Sequence, residues 1–335
     1  MSRRIAVLGA GSWGTALAAH LARVGHEVRL WARAPALAGE IRRRRANAVY
    51  LPDVLLPDTV TPTDSLEEAV HEVELLISAI PSHGCRLVMR EVSPHLASGA
   101  TIVSATKGLE SDTLLRISEV IQQETAGAHP VVVLSGPSFA LEVAQERPTA
   151  ILAASSDSDA VARVQSEFRG NNFRLYGSDD VVGVELCGAL KNVIAIAAGV
   201  VEGVGLGHNA LAALITRGLA EIARLTWAAG GRRETPSGLS GLGDLVLTCT
   251  GSLSRNRHVG IELARGRHLA EIVATMKMVA EGVRTTQCAL ALGARHQVEL
   301  PIATQVAAVL EGRIDVRAGV ESLMLRRQRS ESEPV

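Results

Sequence analysis

The stretch Ile5-Ala-Val-Leu-Gly-Ala-Gly-Ser-Trp-Gly14 decides how the rest of the chain is read. Its first four residues, Ile5–Leu8, are a short apolar run that predicts a buried strand. Gly9, Gly11 and Gly14 follow at once, and helical spacing of apolar residues begins over Thr15–Arg23. The first two glycines permit a tight turn and let backbone approach a pyrophosphate, while the third lets helix pack on strand. The start of the helix then offers free N–H groups and the positive end of its dipole to an anion. A glycine-rich turn without a ligand is the competing reading. It is weakened by the position at the chain start and by a second strand candidate, Val28–Trp31, at the right distance.

Outward from this motif the first half alternates strands with helices. Further strand candidates are Leu75–Ile80, Thr101–Ser104, Val131–Leu134, Ala150–Ala153 and the weaker Phe173–Tyr176, separated by helical patterns over Ser65–Val70, His83–Leu96 and Leu114–Glu124. Near-continuous apolar strands with helices between them call for a mostly parallel sheet covered on both faces. After about Asp180 the alternation stops. Val181–Val204, Leu211–Ala229, His258–Arg265, Leu269–Lys277, Thr285–Arg295 and Ile302–Leu310 all read as helices. The expected domains are therefore 1–180, α/β, and 181–335, all-α, in line with a length of 335 residues that is too great for one core. Arg326–Val335 reads as a charged, frayed tail.

Composition excludes several classes. Lys plus Arg (34) balances Asp plus Glu (35), so nothing general attracts nucleic acid, and an anionic ligand must be held by local charge. The four cysteines are scattered, without CxxC or a zinc-ligand spacing, which suits a reduced compartment and predicts no metal site. The apolar run after Met-Ser-Arg-Arg is too short for a signal peptide, and the run near Val193–Val201 falls short of the about 20 residues of a membrane span. A cytoplasmic protein is expected.

In parallel sheets ligands lie beyond the carboxyl ends of the strands. The residues there are Gly9–Gly14, Arg33, Pro81-Ser82, Lys107-Gly108 and Gly136-Pro-Ser138. An NAD site usually places an acid after the second strand to bind the ribose hydroxyls; here Trp31-Ala-Arg33 stands there, with no acid before Glu40. Arg33 suits a 2′-phosphate, so NADP is a candidate beside NAD; a solvent-facing arginine is the alternative. The run Arg42–Arg45 reads as a solvated helix face, with added positive potential at the dinucleotide site as the alternative, and Ser138 taken alone reads as a helix N-cap.

In the helical half, Lys191 sits within the apolar Gly188-Ala-Leu-Lys-Asn-Val-Ile-Ala-Ile-Ala-Ala-Gly199. Burial lowers the pKa of an amine and fits it for proton exchange with an alkoxide, although a lysine snorkelling to solvent is an equal reading of this segment. Asp244 and Thr248, four residues apart, share a face if that stretch is helical and can hold an ammonium or a hydroxyl. Gly251-Ser-Leu-Ser254-Arg255-Asn256-Arg257 offers an arginine fork, an amide and a helix start to a phosphate, or else is an exposed loop. His208 falls in a polar break between helices and reads as a loop histidine, with approach to the ligand cleft as the alternative. Nothing of the HExxH, GxSxG or Walker type is present.

Eight blocks in order give the chain a resemblance to the bacterial NAD(P)-dependent glycerol-3-phosphate dehydrogenases. They are Gly9-Ala-Gly-Ser-Trp-Gly-Thr-Ala, Asn47-Ala-Val-Tyr-Leu-Pro52, Ser104-Ala-Thr-Lys-Gly-Leu-Glu110, Ser135-Gly-Pro-Ser-Phe-Ala140, Gly188-Ala-Leu-Lys-Asn-Val193, Gly241-Leu-Gly-Asp-Leu245, Ser254-Arg-Asn256 and Val279-Ala-Glu-Gly282. The resemblance implies an N-terminal Rossmann-like domain and a C-terminal helical domain of the 6-phosphogluconate dehydrogenase type. It implies Lys191 as proton acceptor. Ser12, Trp13, Arg33, Tyr50, Lys107, Ala140, Arg255, Val279 and Glu281 would touch NADP or NAD. Lys107, Gly136, Ser138, Asp244, Ser254, Arg255 and Asn256 would hold the glycerol phosphate. His208 departs from the family, which more often has an acid there. The implied activity interconverts sn-glycerol 3-phosphate and dihydroxyacetone phosphate and supplies phospholipid synthesis. The expected partners are these small molecules, without nucleic acid or membrane span, and a homodimer is the candidate assembly. Competing readings are a related dehydrogenase acting on a carboxylate substrate and a non-catalytic NADP sensor, which needs no lysine in an apolar helix.

Overall fold

Strand β1, Arg4–Leu8, has four consecutive fully buried side chains, so it lies inside a sheet covered on both faces. A computed structural model describes residues 2–276, 278–328 and 330 and divides the chain into two compact units. The first comprises the chain to Lys107 together with Leu115–Val181; the second comprises Gly108–Leu114 and the chain from Val182 onward.

The first unit carries ten strands. After β1 come β2 (Glu27–Trp31), β3 (Ala46–Asn47), β4 (Leu51–Leu55), β5 (Val60–Thr63), β6 (Leu75–Ser78), β7 (Thr101–Ser104), β8 (Val131–Ser135), β9 (Thr149–Ala154) and β10 (Phe173–Ser178). Eight form one sheet in the order β10-β9-β8-β7-β6-β1-β2-β5, parallel throughout except for β8 against β9. From β1 the chain winds outward through β2 to β5, then returns to the other side of β1 at β6. That reversal is the switch point at which open parallel sheets bind ligands. Helices Ser12–Arg23 and Ser82–Val92 follow β1 and β6 directly and pack into the two cores that cover the sheet.

Some boundaries differ from expectation. The end strand β5 and the β3–β4 ladder go beyond the strands expected from the sequence, because Pro62 and Pro52 interrupt any strand pattern; both prolines lie where pairing leaves them room, Pro62 on the sheet edge. Short helices Pro35–Arg44, Ala140–Ala144 and Ser158–Glu167 add to those expected. Arg42 is no mere solvated residue, since it donates to the Pro62 carbonyl at 2.6 Å. Arg45, with φ 53°, donates to the carbonyls of Val60 at 3.2 Å and Leu56 at 3.1 Å.

Among the described residues of the second unit the regular elements are helices, apart from an isolated bridge at Leu109. The unit's axis is Val181–Val204, with Gly207–Ala228, Arg255–Ala264, Glu281–His296 and Pro301–Leu310 around it. By length and composition Val181–Val204 could cross a membrane, but 89% of its apolar window is buried within protein. It is a core helix. Its contact with Arg255–Ala264 is made through glycine: a Cβ on Gly199 would lie 1.9 Å from the Arg257 carbonyl oxygen, and one on Gly260 would lie 1.9 Å from that of Ile196. The helix expected over Leu269–Lys277 is observed at Leu269–Thr275, and Lys277 lies outside the described residues, as does most of the Arg326–Val335 tail. Helices Asp244–Thr250 and Val316–Met324 complete the unit.

Candidate active site

At the switch point Gly9, with φ 109°, turns the chain out of β1 so tightly that a Cβ would lie 2.7 Å from the Ala79 carbonyl oxygen. Gly14 is equally constrained, since its Cβ would lie 1.9 Å from the Gly9 oxygen. Gly11 is the opposite case: a Cβ there would meet nothing within 4 Å. Two glycines thus close the turn, and the third faces open space at the start of the Ser12–Arg23 helix, where N–H groups emerge. This cradle fits a dinucleotide pyrophosphate. Ser12 donates from Oγ to the Tyr50 carbonyl at 2.7 Å, which ties the β3–β4 segment to the loop, and Trp13 is half-buried against the core. Arg33 is exposed just beyond β2.

Three of the expected substrate residues converge in the same unit. Lys107 Nζ donates to the Gly136 carbonyl at 3.0 Å, and Ser138 Oγ donates to the same oxygen at 2.9 Å. Gly136, with φ 141°, has no room for a side chain against Ile151. Ser138 is not the N-cap of the next helix; Phe139 takes that position and Ala140 begins the helix, because the Ser138 hydroxyl turns back to Gly136.

In the second unit Lys191 does not snorkel. It is 6% exposed, and its ammonium donates to Asp244 Oδ1 and, at 2.7 Å, to Thr248 Oγ1. Asp244 opens the helix Asp244–Thr250, so Asp244 and Thr248 do share one face. Thr248 passes its own proton to the Asp244 main-chain oxygen at 2.6 Å, which leaves a lone pair for the amine. Just ahead, Leu239–Gly243 forms a π-helical turn that requires Gly241, where a Cβ would lie 2.0 Å from the Pro236 oxygen. The carboxylate is fully buried, so each charge depends on the other for compensation. Nearby, burial pushes the Cys249 thiol up to about 12, with Lys191 opposing the shift.

Ser254 is a helix N-cap, accepting from Arg257 N at 3.2 Å, so Arg255 and Asn256 lie in the first turn of Arg255–Ala264. Arg255 keeps exposed surface, yet burial lowers the pKa of its guanidinium, and Glu281, first residue of the Glu281–His296 helix, opposes that shift as the nearby opposite charge. Val279 is exposed two residues earlier. Asn256 is buried: Nδ2 donates to Asn192 Oδ1 at 2.8 Å, and Oδ1 accepts from Gly282 N at 2.9 Å. It therefore joins three helices, a duty its sequence position beside Arg255 does not announce. Asn192, adjacent to Lys191, is likewise a residue whose role shows only through its partner on another helix. His208 is not in a loop; it is an exposed residue of the first turn of Gly207–Ala228.

The first unit carries a turn shaped for a dinucleotide and the second a buried amine, and the class is a nicotinamide-dependent dehydrogenase. The N-terminal family model of NAD-dependent glycerol-3-phosphate dehydrogenase matches residues 4–161, and the C-terminal model matches 180–321. The chain belongs to that family. A glycerol-3-phosphate dehydrogenase (NAD(P)+) of Koribacter versatilis is 54% identical over 327 residues, 96% of this chain and 97% of that one. Another, of Citrifermentans bemidjiense, is 50% identical and spans 99% of both chains. The crystal structure of glycerol-3-phosphate dehydrogenase from Coxiella burnetii, 41% identical, matches with a TM-score of 0.93 over 97% of this chain and 99% of that one.

Proposed function

We propose that Lys191 is the acid–base group of an NAD(P)-dependent interconversion of sn-glycerol 3-phosphate and dihydroxyacetone phosphate. The reaction supplies glycerol 3-phosphate to phospholipid synthesis. The observation that carries the assignment is the buried ammonium gripped by Asp244 and Thr248. Bound NADP or NAD supplies or accepts the hydride. Gly9, Gly11, Gly14, Ser12, Trp13, Arg33, Tyr50, Lys107 and Ala140 of the first unit would hold that cofactor, and Arg255, Val279 and Glu281 of the second are assigned to it as well.

In the reducing direction Lys191 gives its proton to the former carbonyl oxygen; in the oxidising direction it takes the hydroxyl proton. Asp244 offsets the charge of the buried amine and, with Thr248, fixes the direction of Nζ. The phosphate end is assigned to the Arg255 guanidinium and the first turn of its helix, where Ser254 and Asn256 stand; Ser254 keeps its hydroxyl proton, because it accepts from Arg257 N. Lys107, Gly136 and Ser138 complete the substrate set.

Cytoplasmic location follows from the same reading, as does a homodimer, for which the exposed Leu242 and Val246 offer apolar surface. Sedimentation reads the latter. The deciding experiment is a spectrophotometric assay with dihydroxyacetone phosphate and either NADH or NADPH. Turnover that persists near the wild-type rate in Lys191→Ala, or that requires a carboxylate substrate, would overturn the assignment.

A further inference from the structure

We propose that Asn47 is a positioning residue for the dinucleotide loop: it holds the Ala10–Gly11 peptide so that the Gly11 N–H faces the anion. This rests on the reading that the glycine loop holds the pyrophosphate.

Asn47 is completely buried and lies 37 residues from its partner in the loop. Its Nδ2 donates to the Ala10 carbonyl and to Thr15 Oγ1, both at 2.9 Å, and its Oδ1 accepts from Tyr50 N at 3.1 Å. The partners leave no ambiguity about which end is which: a carbonyl only accepts and a backbone N–H only donates. Both amide protons and the carbonyl oxygen are therefore spent, and the carboxamide has one orientation.

That orientation fixes the loop. In a trans peptide the carbonyl and the following N–H point to opposite sides of the chain. Holding the Ala10 oxygen against Asn47 turns the Gly11 N–H away from Asn47. Among the described residues that N–H has no protein partner, and Gly11 borders open space. A donor that is fixed before the ligand arrives costs no reordering on binding. Ser12, bonded to the Tyr50 carbonyl, fastens the same two segments a second time. Of these contacts, only the bond to Ala10 governs the direction of a loop N–H.

The test uses the full chain and reads cofactor binding by fluorescence titration. Asn47→Ser and Asn47→Ala are each expected to raise the Kd for NADPH and for NADH by about tenfold, by the same factor for both, since both carry a pyrophosphate. At saturating cofactor kcat is expected to stay within about threefold of wild type. Thr15→Val removes the other acceptor of the amide but leaves the Ala10 carbonyl held. It is expected to lower the thermal midpoint while leaving both Kd values unchanged. Asn47 variants that bind within twofold of wild type, or a Thr15→Val variant that binds as weakly as they do, overturn the proposal. So does a failure of both asparagine variants to fold, which would make Asn47 a stability element. Hydrogen exchange of residues 8–14 in the wild-type protein, with and without NADP+, separates the underlying reading: no protection there sinks the loop as the pyrophosphate site, independently of Asn47.

Discussion

Thr248 Oγ1 stands 2.7 Å from Lys191 Nζ and is itself steered by a 2.6 Å bond to the Asp244 main-chain oxygen. The amine is thereby aimed as well as neutralised. Thr248→Val keeps the shape and removes the acceptor, leaving a buried N–H unsatisfied at a cost of about 1–3 kcal/mol. Steady-state kinetics are expected to show kcat reduced by about tenfold or more, with KM for dihydroxyacetone phosphate within about twofold. Thr248→Ser should restore most of the rate. A valine variant with full kcat would mean that the threonine does not orient the amine.

Lys191 and Asp244 form a buried pair, 6% and 0% exposed, so removing one partner strands the other. Lys191→Ala is expected to lose about 3–5 kcal/mol of stability and Asp244→Asn a comparable amount. The double variant should recover most of that loss, because no lone charge remains, while kcat stays at least about a hundredfold down. Denaturant melts and kinetics on the same four proteins separate the two effects.

Gly199 and Gly260 set the distance between the lysine-bearing helix and the helix that opens at Arg255. Gly199→Ala places a methyl group 1.9 Å from a main-chain oxygen, which only movement of the Arg255–Ala264 helix can relieve. Overpacking of this kind costs about 1–3 kcal/mol. KM for the phosphorylated substrate is expected to rise several-fold, with KM for NADPH less affected.

Glu221 carries a pH dependence that has nothing to do with catalysis. It is 4% exposed and accepts from the N–H groups of Ile302, at 2.5 Å, and Ala303, at 3.3 Å, so it caps the Pro301–Leu310 helix from a distance. Burial outweighs those hydrogen bonds and pushes its carboxyl from 4.5 up to about 7. Between these values the folded chain keeps a proton that the unfolded chain has lost. Stability therefore falls as pH rises through this window, by about 3 kcal/mol in all, and levels off above about 7. Glu221→Gln should abolish that part of the slope in urea midpoints measured from pH 4.5 to 8.

Arg33 is the cation beyond β2, where no acid precedes Glu40. A charge-assisted bond to a 2′-phosphate contributes about 1.5–3 kcal/mol. Arg33→Ala is accordingly expected to lower kcat/KM for NADPH by about tenfold or more and to leave the value for NADH nearly unchanged. Equal losses for both cofactors would remove Arg33 from the choice between them.

The glycine loop was legible because its chemistry is local: strand, turn and helix entry lie within ten residues of one another. Lys191 was conspicuous as a charge in an apolar helix, and Asp244 and Thr248 could be paired by helical spacing alone. What the sequence did not disclose depends on distant partners. Nothing near Asn47 points to Ala10, and nothing near Asn256 points to Asn192 or Gly282. The tight Gly199–Gly260 approach belongs to a pair of helices, and neither glycine signals it by itself. The β5 strand was hidden by Pro62, which an edge position tolerates. Arg45 looked like one more surface charge until its left-handed backbone turned it toward three carbonyl-bearing residues of the following turn.

Leu109, 2% exposed, packs among the side chains of the helical unit although it precedes that unit's main segment by more than seventy positions in the chain. A ribosome therefore releases this plug long before the helices that will enclose it exist. Cutting the gene at residue 181 would deliver a C-terminal half with a hole where Leu109 belongs. The two units are thus unequal as products of translation: the helical one cannot be finished without a piece lent by its predecessor.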